Sequence, residues 1–251
     1  PHDSVLNQVI VQEPELALAL DTVEMTPVRC FGETNGAVSL IADGGWSDFQ
    51  FAGENLLWTG LTDFTDLETG NHRFYVRDSL NCIDSTEIFI PQPDSMQITN
   101  IDITRPLCHG GSDGSIAVEI YGGNGGYTYN LGTDTTISGL FDSILSGNYF
   151  LQIEDTKGCS ASDSVWVDEP TAISHEVVSL VRPICTQNNG SVEVGASGGT
   201  GSIAIDWTND SVPPQFGIDS LFAGIYPFTL TDENLCTYTA QVILSDIGGP
   251  E

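Results

Sequence analysis

The sequence predicts an all-β chain of three tandem immunoglobulin-like β-sandwich repeats, each of about 77 residues, in an extended rod-like array. Three observations predict it. Cysteines recur at a fixed spacing, apolar residues alternate with a period of two rather than 3.6, and Gly, Pro, Asn or Asp closes each alternating run after a few residues.

The period is read from two cysteine series. Cys30, Cys108 and Cys185 form one and Cys82, Cys159 and Cys236 the other, and both step by about 77 residues. Gly36, Gly114 and Gly190 keep the same register after the first cysteine, and the pairs Gly44-Gly45, Gly122-Gly123 and Gly198-Gly199 end the next strand. Gly70, Gly147 and Gly224 then open a late strand that closes at Asp78, Asp155 and Asp232, shortly before the second cysteine.

Within a copy, "AVSLIA", "SIAVEIYG" and "SVEVGA" alternate, as do "RFYVRD", "YFLQIED" and "STEIFIP". Six or seven such strands in one short copy make a sandwich. Copies meet at "PQP" and "DEP", where proline ends a strand and stiffens a short connection. The expected division is 1–14 as the last strand of a preceding repeat, then repeats at 15–93, 94–170 and 171–251. Pro1 and the closing "GGPE" read as the cut ends of something longer.

Six Lys and Arg against 35 Asp and Glu leave a formal charge of −29, which repels phosphate backbones and anionic headgroups alike. Nucleic acid and direct membrane insertion are therefore excluded as partners. Hydrophobic residues at 40% suffice for packed cores.

Two cysteines per copy, well separated in the chain, read as structural disulfides of a secreted domain. Pairing inside each copy (Cys30–Cys82, Cys108–Cys159, Cys185–Cys236) is the expected arrangement. Pairing between neighbours, Cys82–Cys108 and Cys159–Cys185, is the alternative. Zinc is disfavoured, since no CxxC occurs and His2, His72, His109 and His175 occupy unrelated repeat positions.

"GGSDG" around Ser112 matches a nucleophile motif in letters only, because a turn precedes a strand there instead of a strand preceding a helix. No catalytic residue is assigned, and no cofactor is implied. Calcium is the one metal candidate, with Asp78, Asp84, Asp155 and Asp163 as ligands beside the second cysteine. The competing reading makes Asp78, Asp155 and Asp232 caps of the turn that leads to that cysteine. Trp46, Trp58, Trp166 and Trp207 do not repeat and read as packing residues rather than a sugar platform.

Cys, Asx-Gly, alternating strand, Gly-Gly, aromatic strand, Gly-aromatic strand, Asp, x-x-Gly-Cys and a strand ending in Pro, clearest in "CHGGSDGSIAVEIYGGNGGYTYNL" and "GNYFLQIEDTKGC", resemble the SprB repeat. The resemblance covers essentially 15–251, with "WSDFQF" in copy 1 as a departure. It implies an immunoglobulin-like module and a non-enzymatic, extracellular role, since such repeats occur in surface adhesins and gliding-motility proteins of Bacteroidota exported by type IX secretion.

Ten of the 21 Asp residues precede Ser or Thr and then a small aliphatic residue or Thr, where composition alone gives about two. The triplet resembles the O-glycosylation acceptor of that phylum, which makes Ser79, Ser85, Ser143, Ser164, Ser211 and Ser220 candidate modification sites. Asx- and ST-turns at strand ends are the alternative explanation.

The expected function is a structural stalk or filament segment of a large secreted surface adhesin, stiffened by disulfide-locked repeats and partnered by neighbouring repeats of its own chain. Two alternatives remain: the repeats themselves bind glycan or a protein, with copy 1 and its "GENLLWTGLTDFTD" as the owner of the site, or identical shafts assemble laterally into a homo-oligomeric fibre.

Overall fold

The computed structural model describes residues 12–208 and 214–248. The expected N-terminal strand of a preceding repeat lies almost wholly outside these residues, as does the Ser211 triplet. Among the described residues there are nineteen strands and no helix. The first repeat supplies β1 (Ala19–Thr26), β2 (Gly36–Asp43), β3 (Gln50–Ala52), β4 (Asp63–Leu67), β5 (Gly70–Arg77) and β6 (Ile83–Ile90). The second supplies β7 (Gln97–Thr104), β8 (Gly114–Tyr121), β9 (Thr128–Leu131), β10 (Asp134–Thr136), β11 (Leu140–Ile144), β12 (Gly147–Glu154) and β13 (Ser160–Val167). The third supplies β14 (Ser174–Val181), β15 (Gly190–Ser197), β16 (Ala204–Trp207), β17 (Gly217–Leu221), β18 (Gly224–Thr231) and β19 (Thr237–Leu244).

Each repeat makes two sheets. The orders are β1-β2-β4 with β3-β5-β6, then β11-β8-β7 with β10-β9-β12-β13, then β14-β15-β17 with β16-β18-β19. The first, second and fourth strands of the first repeat thus share one sheet and the third, fifth and sixth the other, all antiparallel, which is the immunoglobulin arrangement with a short edge strand added in the middle repeat.

Alternation builds the cores. In β2, "GAVSLIAD" sends Val38 and Leu40 inward, where they join Leu20 from β1, Phe51 from β3, Phe74 and Val76 from β5, and Ile90 from β6. In the third repeat Val192 and Val194 meet Ile205, Trp207, Phe228, Leu230, Val242 and Leu244 in the same way. The middle repeat buries Ile116, Val118, Tyr129, Leu131, Leu151, Ile153, Val165 and Val167 at the corresponding positions. Each such side chain contributes roughly 1.5–3 kcal/mol relative to exposure.

One strand per repeat breaks the alternation. In "FTDL", "FDSI" and "IDSL" the inward residues are three apart, so a regular strand would turn one of them to solvent. A bulge at Asp66, Ser143 and Ser220, with φ of 59°, 62° and 58°, absorbs the extra residue. Phe141 and Ile144, and Ile218 and Leu221, are consequently all buried.

By internal contacts the chain divides into two compact units. The first takes residues up to 97 together with 120–127 and 153–161; the second takes 98–119, 128–152 and 162 onward. One pole of the middle repeat is therefore part of the first unit.

At that pole the glycine pair after β8 crosses the start of β7. Gly122 has a φ of 86°, and a methyl group on it would run into the Ser95 carbonyl oxygen. Gly122→Ala should therefore lower the thermal unfolding midpoint, at a cost of about 2 kcal/mol or more. Gly60→Ala, facing open space without a left-handed backbone, should leave the midpoint unchanged.

Candidate functional site: the inter-repeat joints

The second cysteine of every copy sits on a turn built around one buried carboxylate. Asp78, Asp155 and Asp232 are 3%, 6% and 4% exposed, the only charged residues among the described ones so deeply buried. In each, one carboxylate oxygen accepts the N–H groups two and four residues ahead: Leu80 and Cys82 at 2.9 Å, Lys157 and Cys159 at 2.8 and 3.0 Å, Asn234 and Cys236 at 2.9 Å. The other oxygen accepts the N–H that follows the glycine pair: Trp46 at 3.1 Å, Asn124 at 2.7 Å, Thr200 at 2.8 Å. The aspartate's own N–H donates to the cysteine carbonyl, closing the hairpin.

Burial alone would raise the pKa of Asp78. The N–H groups of Trp46, Cys82 and Leu80 outweigh it and hold the carboxyl below its ordinary range. Asp155 follows the same balance, with burial opposed by the Asn124 backbone and side chain and by the Cys159 and Lys157 amides. Turn capping thus occupies the oxygens that calcium would need. Asp84 accepts the Leu20 amide at 2.9 Å and Asp163 that of Ser164 at 2.7 Å. Among the described residues no group of three or more His, Cys, Asp or Glu is placed to hold a metal ion.

The first cysteine lies at the opposite pole. Cys30 precedes β2, whose eight residues span roughly 26 Å before the glycine pair that touches the Asp78 turn. A disulfide needs Cα atoms within about 7 Å, so pairing within a copy is geometrically closed. The expectation of Cys30–Cys82, Cys108–Cys159 and Cys185–Cys236 is therefore corrected, and so is the neighbour alternative. The bridges are Cys30–Cys159 and Cys108–Cys236, with Cα separations of 5.5 and 5.6 Å, while Cys82 and Cys185 are free. Each bridge joins the first cysteine of one copy to the second cysteine of the next.

Chain direction explains why these two meet. In the first unit, β6 ends beside Cys30: Val28 N–H donates to the Pro91 carbonyl at 2.9 Å and Gly32 N–H to Gln92 Oε1 at 2.9 Å. Two residues later Asp94 accepts the Gly123 N–H at 2.8 Å, so the connection ends at the Cys159 pole of the middle repeat. The short proline linker brings the two turns together. Asn124 Nδ2 then donates to the Arg29 carbonyl at 3.0 Å.

The second unit repeats the plan. Gly110 N–H donates to Glu169 Oε2 at 2.6 Å, Gly199 N–H to the Thr171 carbonyl at 2.8 Å, and Asn234 Nδ2 to the Leu107 carbonyl at 3.0 Å. There the bridge continues the core of the third repeat, with Cys236 inside the cluster and Cys108 packed against it.

Other expected site residues are dispersed. Ser79, Ser85, Ser143, Ser164 and Ser220 are all exposed, Ser143 and Ser220 on the bulges described above. Trp207 is in the core, Trp58 lies under the Arg77 guanidinium at 4.5 Å, and Trp166 is exposed. Ser112 sits in the turn before β8. In the divergent stretch of copy 1 it is aliphatic residues, Leu56, Leu57 and Leu61, that face solvent.

Comparison with known proteins gives the following. Residues 22–51, 100–136 and 179–212 match the model of the SprB repeat. No curated protein matches. Among solved structures, the N-terminal eight Ig domains of Down Syndrome Cell Adhesion Molecule (DSCAM) isoform 1.30.30 are 9% identical over 91% of this chain and 36% of that one, with a TM-score of 0.40. The chain thus spans about a third of that structure's length. The complex of Dpr2 Ig1-Ig2 with DIP-Theta Ig1-Ig3 gives 11% identity, coverages of 91% and 99%, and a TM-score of 0.33. The C-terminal 282-residue fragment of intimin, in complex with the intimin-binding domain of its translocated receptor, gives 15%, 61% and 67%, and 0.32.

The lowered carboxyl groups set an acid dependence. Unfolded Asp binds its proton near pH 4 and the folded Asp78 and Asp155 lower, so their stabilisation is full above about pH 4 and is lost as pH falls through the folded values. The thermal midpoint should hold steady from about pH 7 to 5 and drop below about pH 4. Asp155→Asn should start from a lower midpoint and show a shallower acid limb.

Proposed function

Because all three copies carry the SprB repeat, we propose that the chain is a non-enzymatic structural segment of a large secreted cell-surface adhesin, whose repeats space and stiffen an extracellular appendage. The observation that carries this reading is the overlap of the two bridges. Cys30–Cys159 and Cys108–Cys236 share the stretch from 108 to 159, so their covalent loops overlap.

The mechanical consequence follows from connectivity. The backbone runs the whole way from Cys30 to Cys236, whereas the shortest covalent path through both bridges crosses only the stretch between Cys108 and Cys159. Fully drawn out, these lengths are about 720 Å and about 180 Å. A segment under tension is held to about a quarter of its drawn-out backbone length even if every strand pair separates. Each bridge, closing a loop of 128 or 129 residues, also stabilises the folded array by about 5 kcal/mol in the chain-entropy model.

The surface chemistry suits such a segment. A charge of −29 keeps neighbouring shafts apart in solution. The residues Ser79, in a turn, and Ser85, Ser143, Ser164 and Ser220, on strands, are exposed and so open to O-linked sugar. Partners in this reading are adjoining repeats, with ligand recognition left to other parts of the adhesin.

Single-molecule stretching of the oxidised chain between tags at its ends tests the proposal. Adding reductant should lengthen the fully unfolded chain by about 540 Å, the contribution of the two stretches, 30–108 and 159–236, that the bridges hold out of the path. An equal length before and after reduction would remove the basis for a tension-bearing role.

A further inference from the structure

The first repeat departs from its sisters at one core position. Its β3 pairs with β5 through Gln50, Phe51 and Ala52, opposite Arg77, Val76 and Tyr75, and stops there. The corresponding strand of the third repeat, β16, runs one residue further and sets Trp207 opposite Phe228. Counted from Gly70 and Gly224, which open β5 and β18, Phe228 corresponds to Phe74 and Trp207 to Gly53. In the middle repeat β9 also runs on, to a buried Leu131. A glycine thus stands where the other two repeats send a large apolar side chain into the core.

The backbone departs at the same place. Gly132 N–H donates to the Phe150 carbonyl at 3.4 Å and Thr208 N–H to the Pro227 carbonyl at 3.0 Å, so in both sisters the residue after the apolar one stays on the neighbouring strand. In the first repeat the chain turns away instead. Leu56 N–H donates to the Gly53 carbonyl at 3.0 Å, and Thr59 exchanges two bonds with Phe51 on the far edge of β3. The edge of β5 from Gly70 to Phe74 therefore carries no strand on that side among the described residues.

What remains is an open apolar cavity of about 350 Å³, bounded by Gly53, Leu57, Phe64, Leu67, His72 and Phe74. Its effect is visible on β4. Phe64 and Leu67 are only half-buried, whereas their counterparts Phe141, Ile144, Ile218 and Leu221 are buried. Phe64 leans on Phe74 with ring centroids 5.0 Å apart, taking up part of the space that Trp207 fills against Phe228 at 5.1 Å. At the rim Leu57 and Leu61 are 70% and 69% exposed. An apolar cavity beside an uncovered strand edge has the two features of a strand-addition site, a side-chain pocket and a row of main-chain partners.

We propose that this cavity docks an extended peptide of a partner protein, which lays one large apolar side chain, tryptophan or leucine, beside Phe74 and pairs its main chain with the uncovered edge of β5. The sister repeats name the occupant, since Trp207 and Leu131 fill the equivalent space from their own strands. Charge narrows it further. The chain carries −29, and Glu54 stands at the cavity, while the nearby Arg73 is already bonded to Glu87 at 3.0 Å. An acidic peptide is repelled, and a neutral or basic one is accepted. The site belongs to the first repeat alone and is independent of the load-bearing reading of the bridges.

The test titrates the full isotope-labelled chain with a blocked, uncharged peptide, Trp-Thr-Val-Thr-Val, whose first two residues repeat Trp207 and Thr208. Amide shifts are read by NMR. Shifts should centre on Gly53, Phe64, His72 and Phe74, with a dissociation constant of about 1 mM or below. Replacing the peptide's tryptophan by glycine should weaken binding about tenfold or more. Gly53→Leu should fill the cavity from within. Gly53 has no left-handed backbone, and a methyl group on it would meet the Phe64 ring at 3.8 Å, an ordinary contact. That variant should raise the thermal unfolding midpoint and weaken peptide binding about tenfold. Equal binding of the two peptides, shifts confined to other surfaces, or no binding at several times about 1 mM would each overturn the inference. So would a Gly53→Leu chain that binds the peptide as the parent does, or one whose midpoint falls.

Discussion

The placement of the two cysteines of a repeat at opposite poles governs everything else in this molecule. One stands on the connection between the first two strands and the other on the hairpin between the last two, and in an immunoglobulin sandwich those lie at different ends. A bridge of about 5.5 Å cannot span a strand of roughly 26 Å. Each cysteine must find its partner in an adjoining repeat, and the disulfides become fastenings between modules where an antibody domain would use one to hold its own two sheets together.

A joint of that kind demands that both sulfurs be presented accurately, and the buried aspartates do this. Asp78, Asp155 and Asp232 each take three backbone N–H donors, fixing the hairpin and the glycine-pair turn against each other. A buried carboxylate is costly unless it is so satisfied. The glycine pair is what lets the backbone come this close, since side chains there would strike the start of the first strand or the carboxylate. The proline linkers then set the length over which the next repeat's turn arrives. Aspartate, glycine pair, proline and cysteine thus form one device, written three times in the sequence and closed twice in this chain.

Much of this was legible beforehand. The repeat period, the alternating strands, the turn residues and the capping role of Asp78, Asp155 and Asp232 all follow from local rules that one repeat obeys by itself. The bulges at Asp66, Ser143 and Ser220 are visible in retrospect as "FTDL", "FDSI" and "IDSL", where inward residues stand three apart. They also account for part of the Asp-Ser enrichment at Asp142 and Asp219 without any modification. The calcium expectation was drawn from carboxylate abundance. At Asp78 and Asp155 the structure gives the carboxylate oxygens backbone N–H partners, which abundance alone does not foretell.

The disulfide partners were not legible from spacing, and counting strands misleads: the third and fourth strands run in the same direction, so the connection between them crosses back along the sandwich and puts the last hairpin at the pole opposite the first connection. The sequence by itself determined the module, because alternation, turn chemistry and repeat period act within a few residues of one another. Only the tertiary structure decided how modules are fastened, because that depends on which poles the linkers bring together, a relation between residues 128 and 129 positions apart that no local pattern encodes.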